Sequence, residues 1–361
     1  MKTVTASGSP ELLGRTHGEQ TASQIHSLLQ RWREVVAHHD AAAHGVGGGS
    51  LDALLDQVVH GSGFRETTAR LLPDLVTEVD AIAQGAGISA DEAFALNCMD
   101  EAWWLGSAGS GGCSVLAVGD LAPGSAVIGQ NMDLDTWMDG GQLALRLSPD
   151  DGPRQVLMSR AGMVGLCGAN DAGLAVMVNT LDQLPTDRAG VPVAFVVRAV
   201  LAQTSLDAAA EVLRTLPHAS GQAYTLASPD GVRGFECGAG VVNEYRNDAD
   251  LPGRRWHTNH PIAGPQAESP VGDDDANWAA GSTGPRMNHL DAKAAGVAGR
   301  DDLQRLLSDS TSGICMFPGR WRDDGFTFSS IVVSLTHDAA PDVAIAPGPP
   351  DRTDYVPVPF A

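Results

Sequence analysis

The sequence predicts an α+β fold in which antiparallel β-sheets are covered by helices. Up to about residue 105, apolar side chains recur at the three- and four-residue steps of amphipathic helices. After Cys113 the chain changes to short β-rich runs bounded by Gly, Pro, Asn and Asp, with helical stretches grouped between them. Strands that come in groups, rather than alternating with single helices, indicate antiparallel sheets with helices packed outside.

The N-terminal third is predicted to be a series of helices. The clearest covers residues 21–39, where apolar side chains form one face, and a glycine-rich run at 45–50 ends that pattern. Helical periodicity then resumes, with Pro73 as a kink or a helix start. Ser89 begins a capping box, Ser-Ala-Asp-Glu, which opens the next predicted helix.

The rest of the chain is predicted to consist mostly of strands. Helices interrupt them at 192–216, a stretch long enough for two helices, at 275–295 and at 300–309. The predicted strands, all β-rich and bounded by turn residues, are 113–118, 125–133, 142–148, 154–161, 173–181, 223–231, 233–240, 242–247, 254–260, 326–338 and 342–348.

The acidic composition argues against two classes of partner. The formal net charge is −21 over 361 residues, and such a surface repels phosphate backbones and anionic lipid. No apolar run approaches the ~20 residues of a membrane-spanning helix, and the N-terminal residues lack the apolar region of a secretory signal. We therefore expect a cytoplasmic protein without nucleic-acid or membrane partners.

Neither a metal site nor a cofactor site is predicted. The five cysteines are scattered, and no Cys-x-x-Cys pair indicates a zinc ribbon or a disulfide framework. His257 and His260 are three residues apart in a strand-like context, so their side chains should face opposite sides. The acidic run at 272–278 lacks the spacing of a calcium loop and is predicted to begin a solvated helix.

Cys113 is the candidate nucleophile, and a small buried cysteine is the alternative. The glycines before it permit an unusual backbone conformation, and the strand after it is a rigid mount. A thiol here could attack the Gly112 carbonyl to give a thioester, and water would then cut the chain between Gly112 and Cys113. The new α-amino group, with an ordinary pKa of about 8, would serve as base for its own thiol, so no histidine is needed.

Five stretches in this order resemble the acyl-coenzyme A:6-aminopenicillanic acid acyltransferase family, the autoproteolytic cysteine group of the N-terminal nucleophile (Ntn) hydrolases. More distantly, the chain resembles choloylglycine hydrolases and penicillin V acylases. The stretches are ELLGRTHGEQ (11–20), similar to an opening strand and turn, AIAQGAGISADEAFALN (81–97), similar to the segment before cleavage, GGCSV (111–115), similar to the cleavage site, GQNMD (129–133) and HTNH (257–260).

The resemblance implies a four-layer αββα sandwich of two antiparallel sheets. It also implies two chains made from one precursor: a mostly helical chain of residues 1–112 and an Ntn-hydrolase chain of residues 113–361. The two would stay associated as one folded unit. The implied partners are therefore a small-molecule amide or acyl-CoA-like substrate and the protein's own cleaved N-terminal chain.

The resemblance also implies roles for single residues. Cys113 would be the nucleophile of both self-cleavage and acyl transfer, and Asp133 would accept a hydrogen bond from its α-amino group. Asn259 would donate its amide to the oxyanion, while Asn179 would assist the oxyanion or hold substrate. Arg286 would lie near the nucleophile and favour the thiolate. Without the resemblance, Asp133 and Asn259 would be interpreted as ordinary turn residues, and Arg286 as a surface arginine on an amphipathic helix.

Two further features bear on the substrate. The family resemblance leads us to expect an arginine after Cys315, where this chain has Met316. The four tryptophans near the implied site in sequence are candidates either for the wall of an acyl pocket or for core: Trp103, Trp104, Trp137 and Trp256.

The function implied is that of an autoproteolytic amidohydrolase or acyltransferase acting on a small amide or acyl thioester. Two alternatives stay open at this point. An uncleaved homologue could act as a binding protein without catalysis. A papain-like cysteine hydrolase would instead need a histidine close to Cys113, and His17, His257 and His260 are the candidates.

Overall fold

The structure is a computed structural model, and it describes residues 1–38, 50–105, 112–268, 278–318 and 325–361. Parts of five sequence predictions lie outside these residues: the end of the predicted helix 21–39, the glycine-rich break at 45–49, Gly111 of the cleavage motif, the acidic run at 272–277 and the start of the predicted helix 275–295.

The N-terminal segment begins with strand β1 (Lys2–Gly8), which the sequence did not predict, and continues as helices. The prediction of an opening strand at 11–20 is wrong, because these residues lie in the first helix. The helices described here are α1 (Pro10–His38), α2 (Leu51–Val59), α3 (Phe64–Leu71), α4 (Pro73–Ala86), α5 (Ala90–Leu96) and α6 (Met99–Trp104).

The glycines of the 11–20 stretch serve helix packing and do not form a turn. A Cβ on Gly14 would lie 2.0 Å from the Glu78 carbonyl oxygen, and one on Gly18 would lie 2.3 Å from that of Ile82. Both carbonyls belong to α4, so the two glycines allow the α1 and α4 backbones to approach closely. Ser9 and Pro10 explain why the stretch is helical, because they suit the cap and first position of a helix.

Two predicted helix starts are confirmed. Helix α4 begins at Pro73. Helix α5 begins after Ser89, whose Oγ accepts from the Glu92 amide at 3.1 Å while Glu92 Oε2 accepts from the Ser89 amide at 2.9 Å. This reciprocal pair satisfies two backbone donors that a helix N-terminus leaves unpaired.

The rest of the described chain forms strands and four more helices. The strands Cys167–Asn170 and Val356–Pro357 were not predicted, whereas the other elements lie close to the predicted positions, and 192–216 contains two helices. The helices are α7 (Val193–Leu201), α8 (Leu206–Thr215), α9 (Trp278–Lys293) and α10 (Arg300–Leu307). The strands are β2 (Gly112–Ala122), β3 (Ser125–Asp135), β4 (Gln142–Pro149), β5 (Gln155–Arg160), β6 (Cys167–Asn170), β7 (Ala175–Thr180), β8 (Gln222–Ser228), β9 (Gly231–Gly238), β10 (Val241–Tyr245), β11 (Arg254–His257), β12 (Gly325–Thr336), β13 (Ala339–Ala346) and β14 (Val356–Pro357).

The strands form two sheets packed face to face. The larger sheet has the order β1-β4-β5-β6-β7-β8-β9-β10, and the smaller has the order β11-β2-β3-β12-β13-β14. Helices α7 and α8 pack on the larger sheet, whereas α9 and α10 pack on the smaller one, and β2 and β3 contact β7, β8 and β9 across the interface. The predicted four-layer αββα architecture is therefore confirmed.

One strand pair departs from the antiparallel prediction. Strand β1 runs parallel to β4, with Lys2 opposite Leu143 and Gly8 opposite Pro149. The N-terminal segment thus supplies an edge strand to the larger sheet. In the part of the chain that the structure describes, no helix is both long enough and apolar enough to cross a bilayer.

Candidate active site

Cys113 lies at the head of β2, where its backbone is held on both sides. Its amide nitrogen donates to Asn259 Oδ1 at 2.8 Å, and its carbonyl accepts from Arg286 Nη1 at 2.5 Å. The side chain is buried between the sheets, with 4% of the residue exposed. Three residues far apart in sequence are therefore joined at the proposed cleavage position.

Arg286 is buried and not the surface arginine that its helix alone suggested. It lies on α9, with its Nη2 donating to Asn259 Oδ1 at 2.8 Å and its Nη1 to Ser114 Oγ at 3.2 Å. Because Arg286 and the Cys113 amide are both donors, the atom of Asn259 between them must be its oxygen. The Asn259 Nδ2 group accordingly points elsewhere, to the Thr180 carbonyl at 3.1 Å.

The position of Asn259 follows from sheet pairing. Strand β11 pairs with β2, His257 opposite Val115, so the residues after β11 emerge beside Cys113. The amide nitrogen of Asn259 then donates to Thr283 Oγ1 on α9 at 2.8 Å. The pairing of β11 with β2 and the hydrogen bond to α9 together fix the position of the Asn259 side chain.

Asp133 stands opposite Gly112 in the pairing of β3 with β2. Its Oδ1 accepts from Thr327 Oγ1 at 2.6 Å, while its buried Oδ2 has no hydrogen-bond partner among the described residues. Burial raises the pKa of Asp133 to about 7, although Arg286 and the Thr327 hydroxyl oppose the rise. A carboxyl that titrates near neutrality can exchange protons with its neighbours.

Thr327 is a site residue that the sequence did not reveal. It lies on β12, opposite Asp133 on β3. Its backbone amide donates to the Met316 carbonyl at 3.0 Å, and the Met316 amide donates to its hydroxyl oxygen at 2.8 Å. Met316, where we expected an arginine, therefore acts on the site through its backbone, by fixing the hydroxyl that bonds Asp133.

The surroundings of Cys113 favour the neutral form of its thiol. Burial raises its pKa well above the ordinary value, the Asp133 charge raises it further, and the Arg286 charge opposes both. A thiol held in this form reacts only when a base removes its proton.

Asn179 lies on β7, and its Nδ2 donates to the His257 carbonyl at 3.3 Å. Its buried Oδ1 has no hydrogen-bond partner among the described residues. The Asn179 side chain thus connects the larger sheet to β11 by a hydrogen bond, and its partner His257 is two residues before Asn259 in the sequence. Its role towards the oxyanion or the substrate stays a prediction.

A pocket opens beside Cys113. It comprises about 510 Å³ of space between protein atoms, part of it open to solvent. Most of its wall is apolar, and Asp100, Arg160 and Thr180 supply polar groups. Four flexible methionines line it, Met99, Met132, Met138 and Met163.

Of the two alternatives for the tryptophans, core packing and not the pocket wall holds for the two whose side chains are described. Trp137 stacks on Trp32 with ring centroids 6.5 Å apart. Trp256 is buried among other residues and donates its Nε1 to Asp291 at 2.7 Å. Both belong to the packing of the layers. The side chains of Trp103 and Trp104 lie outside the described part.

The family model of acyl-coenzyme A:6-aminopenicillanic acid acyl-transferase matches residues 121–352, more than half of the chain. The chain belongs to this family. One curated relative, the acyl-coenzyme A:6-aminopenicillanic-acid-acyltransferase 40 kDa form of Emericella nidulans, is 25% identical over 360 residues and is matched over 97% of this chain and 94% of its own length. The sequence resemblance is confirmed, and it places the chain among enzymes that transfer acyl groups or cleave amides.

Solved structures with low similarity were also found. A variant of conjugated bile acid hydrolase from Clostridium perfringens has a TM-score of 0.45 and 13% identity, covering 68% of this chain and 92% of that chain. Penicillin V acylase from Agrobacterium tumefaciens has a TM-score of 0.41 and 14% identity, covering 65% of this chain and 82% of that chain.

The histidines proposed for a papain-like site have other partners in this family member. His17 Nε2 accepts from the Gly162 amide at 3.1 Å, and His260 Nδ1 lies 2.7 Å from Thr283 Oγ1. His257 Nε2 lies 2.8 Å from Glu236 Oε1, and both side chains are fully buried. Across the described ranges, no three His, Cys, Asp or Glu residues cluster closely enough to hold a metal ion.

Proposed function

We propose that the chain is a self-processing cysteine amidohydrolase or acyltransferase of the Ntn type. It would cut its own Gly112–Cys113 bond and then carry acyl groups on Cys113. The main support for this proposal is the pair of hydrogen bonds that fix the backbone of Cys113 beside an apolar pocket. Its amide donates to Asn259, and its carbonyl accepts from Arg286. Any buried backbone amide and carbonyl need partners, but here both partners are polar side chains, one of them a charged arginine, and burying these groups is costly.

Self-cleavage begins when the thiol attacks the carbonyl carbon of Gly112. A carbon–sulfur bond forms, the Gly112–Cys113 carbon–nitrogen bond breaks, and the thiol proton ends on the leaving nitrogen. Asp133, with a pKa of about 7, relays that proton. Water then hydrolyses the thioester, which leaves a carboxylate on Gly112 and a free thiol and amine on Cys113.

The amine created by the cut completes the site. An α-amino group has an ordinary pKa of about 8, so it can take the proton of its own thiol. Asn259 Oδ1 already accepts from this nitrogen, and the unpartnered Asp133 Oδ2 is an acceptor for an additional N–H. The Arg286 charge favours the thiolate once it forms.

Acyl transfer repeats the same bond changes on a substrate. The thiolate attacks an amide or thioester carbonyl, the amine protonates the leaving group, and an acyl-enzyme forms on Cys113. Water or an acceptor amine then releases the acyl group. Because water is always present at high concentration, hydrolysis is the default outcome. The name of the Emericella nidulans relative suggests acyl-coenzyme A as a donor to test.

The two chains of the processed enzyme, residues 1–112 and 113–361, would stay together. Strand β1 pairs with β4, which lies beyond the cut. On α6, Asp100 accepts from Thr180 Oγ1 at 2.7 Å and Gln222 Nε2 at 2.9 Å. We place the enzyme in the cytoplasm, since its five buried cysteines are all free and suit a reducing compartment.

Acyl-enzyme trapping tests the proposal. Purified protein is mixed with a panel of acyl thioesters and activated amides, quenched in acid and weighed by intact mass spectrometry. We expect one acyl group on the chain that begins at Cys113 and none after Cys113→Ala. Cys167→Ala is the matched control, a buried cysteine that should still allow labelling. Absence of acylation across the panel, in a folded and uncut wild type, would favour the non-enzymatic alternative.

A further inference from the structure

The pocket beside Cys113 contains a buried arginine that the proposed chemistry does not use. Arg160 ends β5 and has only 2% of its surface exposed. Its Nη2 donates to the Leu96 carbonyl at 2.8 Å, and its Nη1 lies 3.4 Å from the Met138 sulfur. Its Nε has no partner among the described residues. A guanidinium has five N–H donors, so most of its hydrogen-bonding capacity is unused.

Arg160 also lacks a counter-ion, in contrast to the buried Arg198. No carboxylate of the described residues forms an ion pair with it within 4.0 Å, whereas the buried Arg198 pairs with both oxygens of Glu78 at 2.8 and 2.9 Å. Burying an unpaired cation is costly unless a partner arrives. Burial lowers the pKa of Arg160 to about 10, and the charge of Asp100 partly opposes this.

We propose that Arg160 determines acyl-group specificity, by binding a carboxylate at the far end of the acyl chain that Cys113 attacks. This inference rests on the proposed function and names its substrate class. The planar guanidinium matches a carboxylate, which would supply the missing counter-ion. The methionines that line the same pocket suit a flexible methylene chain, because a thioether side chain adapts to irregular apolar shapes.

Asp100 is the other charged residue of the pocket, and it is already occupied. Its Oδ2 accepts from Thr180 and Gln222. Burial raises the pKa of Asp100, while the hydrogen bonds from Thr180 and Gln222 and the charge of Arg160 oppose the rise. An acyl chain ending in a cation would need Asp100 as its partner, and Oδ2 of Asp100 already accepts two hydrogen bonds.

Matched 4-nitroanilides test the inference. The dicarboxylic monoanilides of succinate, glutarate and adipate are compared with butanoyl, pentanoyl and hexanoyl anilides and with amino-terminated chains of equal length. In wild type we expect kcat/KM for the best carboxylate chain to exceed that of its neutral match by about 10-fold or more, with the amino chain poorest. Arg160→Met should lower this ratio by about 10-fold or more, to near 1 or below.

Two further variants and one inhibition assay test the role of Arg160 independently of Arg160→Met. Arg160→Lys should retain part of the preference for the carboxylate chain, because lysine keeps the positive charge but cannot bind both carboxylate oxygens as a planar guanidinium does. Arg154→Met, which removes a half-exposed arginine paired with Asp171, should retain the whole ratio. If Arg160→Met does not fold, glutarate should still inhibit wild type far better than pentanoate.

Each adverse result points to a different failure. Wild type that prefers neutral or amino chains at every length contradicts the role of Arg160 but leaves the proposed function intact. An equal loss on charged and neutral chains in Arg160→Met, at an unchanged melting temperature, also contradicts it. Failure of every anilide and thioester to acylate Cys113 contradicts the proposed function itself.

Discussion

Cys113 is positioned through its backbone, and its neighbours in space come from three other elements. Asn259 and Arg286 hold its amide and carbonyl, and Asp133 stands across the strand pair. Short motifs in the sequence already indicated these residues as candidates. Thr327 was missed because it has no local signal and meets Asp133 only through a pairing 194 residues away in sequence.

Arg160 was missed for a related reason. It ends an ordinary apolar strand, and its importance arises only when β5, α6 and the head of β2 enclose one pocket. Short sequence motifs identify functional residues that lie within a few positions of one another in the sequence. They do not reveal a cation that lacks a counter-ion, because that property depends on every element packed around it.

Asp133 gives the residue-scale prediction. Asp133→Asn keeps an acceptor for Thr327 but cannot take the thiol proton, so self-cleavage should slow by about 100-fold or more. In wild type the rate should rise as the pH passes through about 7, where Asp133 ionises. The measurement is a time course of newly synthesised precursor on denaturing gels between pH 5.5 and 8.5.

Thr327→Val provides the control for this profile. The Thr327 hydrogen bond lowers the pKa of Asp133, so its removal should move the rise in rate to higher pH without abolishing cleavage. An Asp133→Asn profile identical to that of wild type would show that Asp133 does not relay the proton.

At the scale of elements, hydrophobic periodicity predicted most helices and strands, and the errors have physical causes. Gly14 and Gly18 were interpreted as a turn, although they permit close contact of α1 with α4. Strand β1 was missed because only Val4 and Ala6 of its residues are buried, too few to form a distinctive pattern. Glycine occurs both in turns and where two helix backbones approach closely, so the sequence alone does not distinguish the two roles.

Gly14→Ala tests that interpretation. The added Cβ would lie 2.0 Å from the Glu78 carbonyl oxygen, so α1 and α4 must separate. We expect a loss of roughly 2 kcal/mol or more in the free energy of unfolding, measured by chemical denaturation. Gly296→Ala, at the end of the short 3-10 helix Ala294–Gly296, is the control, since nothing lies within 4 Å of its added Cβ and no proline follows it, and it should be neutral or stabilising. Equal effects of the two substitutions would contradict the close approach.

For the whole molecule, the change from helical to β-rich sequence falls where the chain is proposed to cut itself. The two parts do not form separate domains in space, because β1 belongs to the larger sheet and α6 contributes Met99 and Asp100 to the pocket. The grouping of strands was sufficient to predict the layered fold. It could not show that the N-terminal segment shares both a sheet and a pocket with the rest, since those contacts are long-range.

The most direct test of the central claim is the intact mass and N-terminal sequence of the purified protein. Wild type should yield two chains that separate only under denaturing conditions, the second beginning Cys-Ser-Val at Cys113. Cys113→Ala should yield one full-length chain, whereas Cys167→Ala should be cut as wild type is. An active wild type that stays one full-length chain, with Cys113→Ala equally active, would contradict the account, as would cleavage at any other bond.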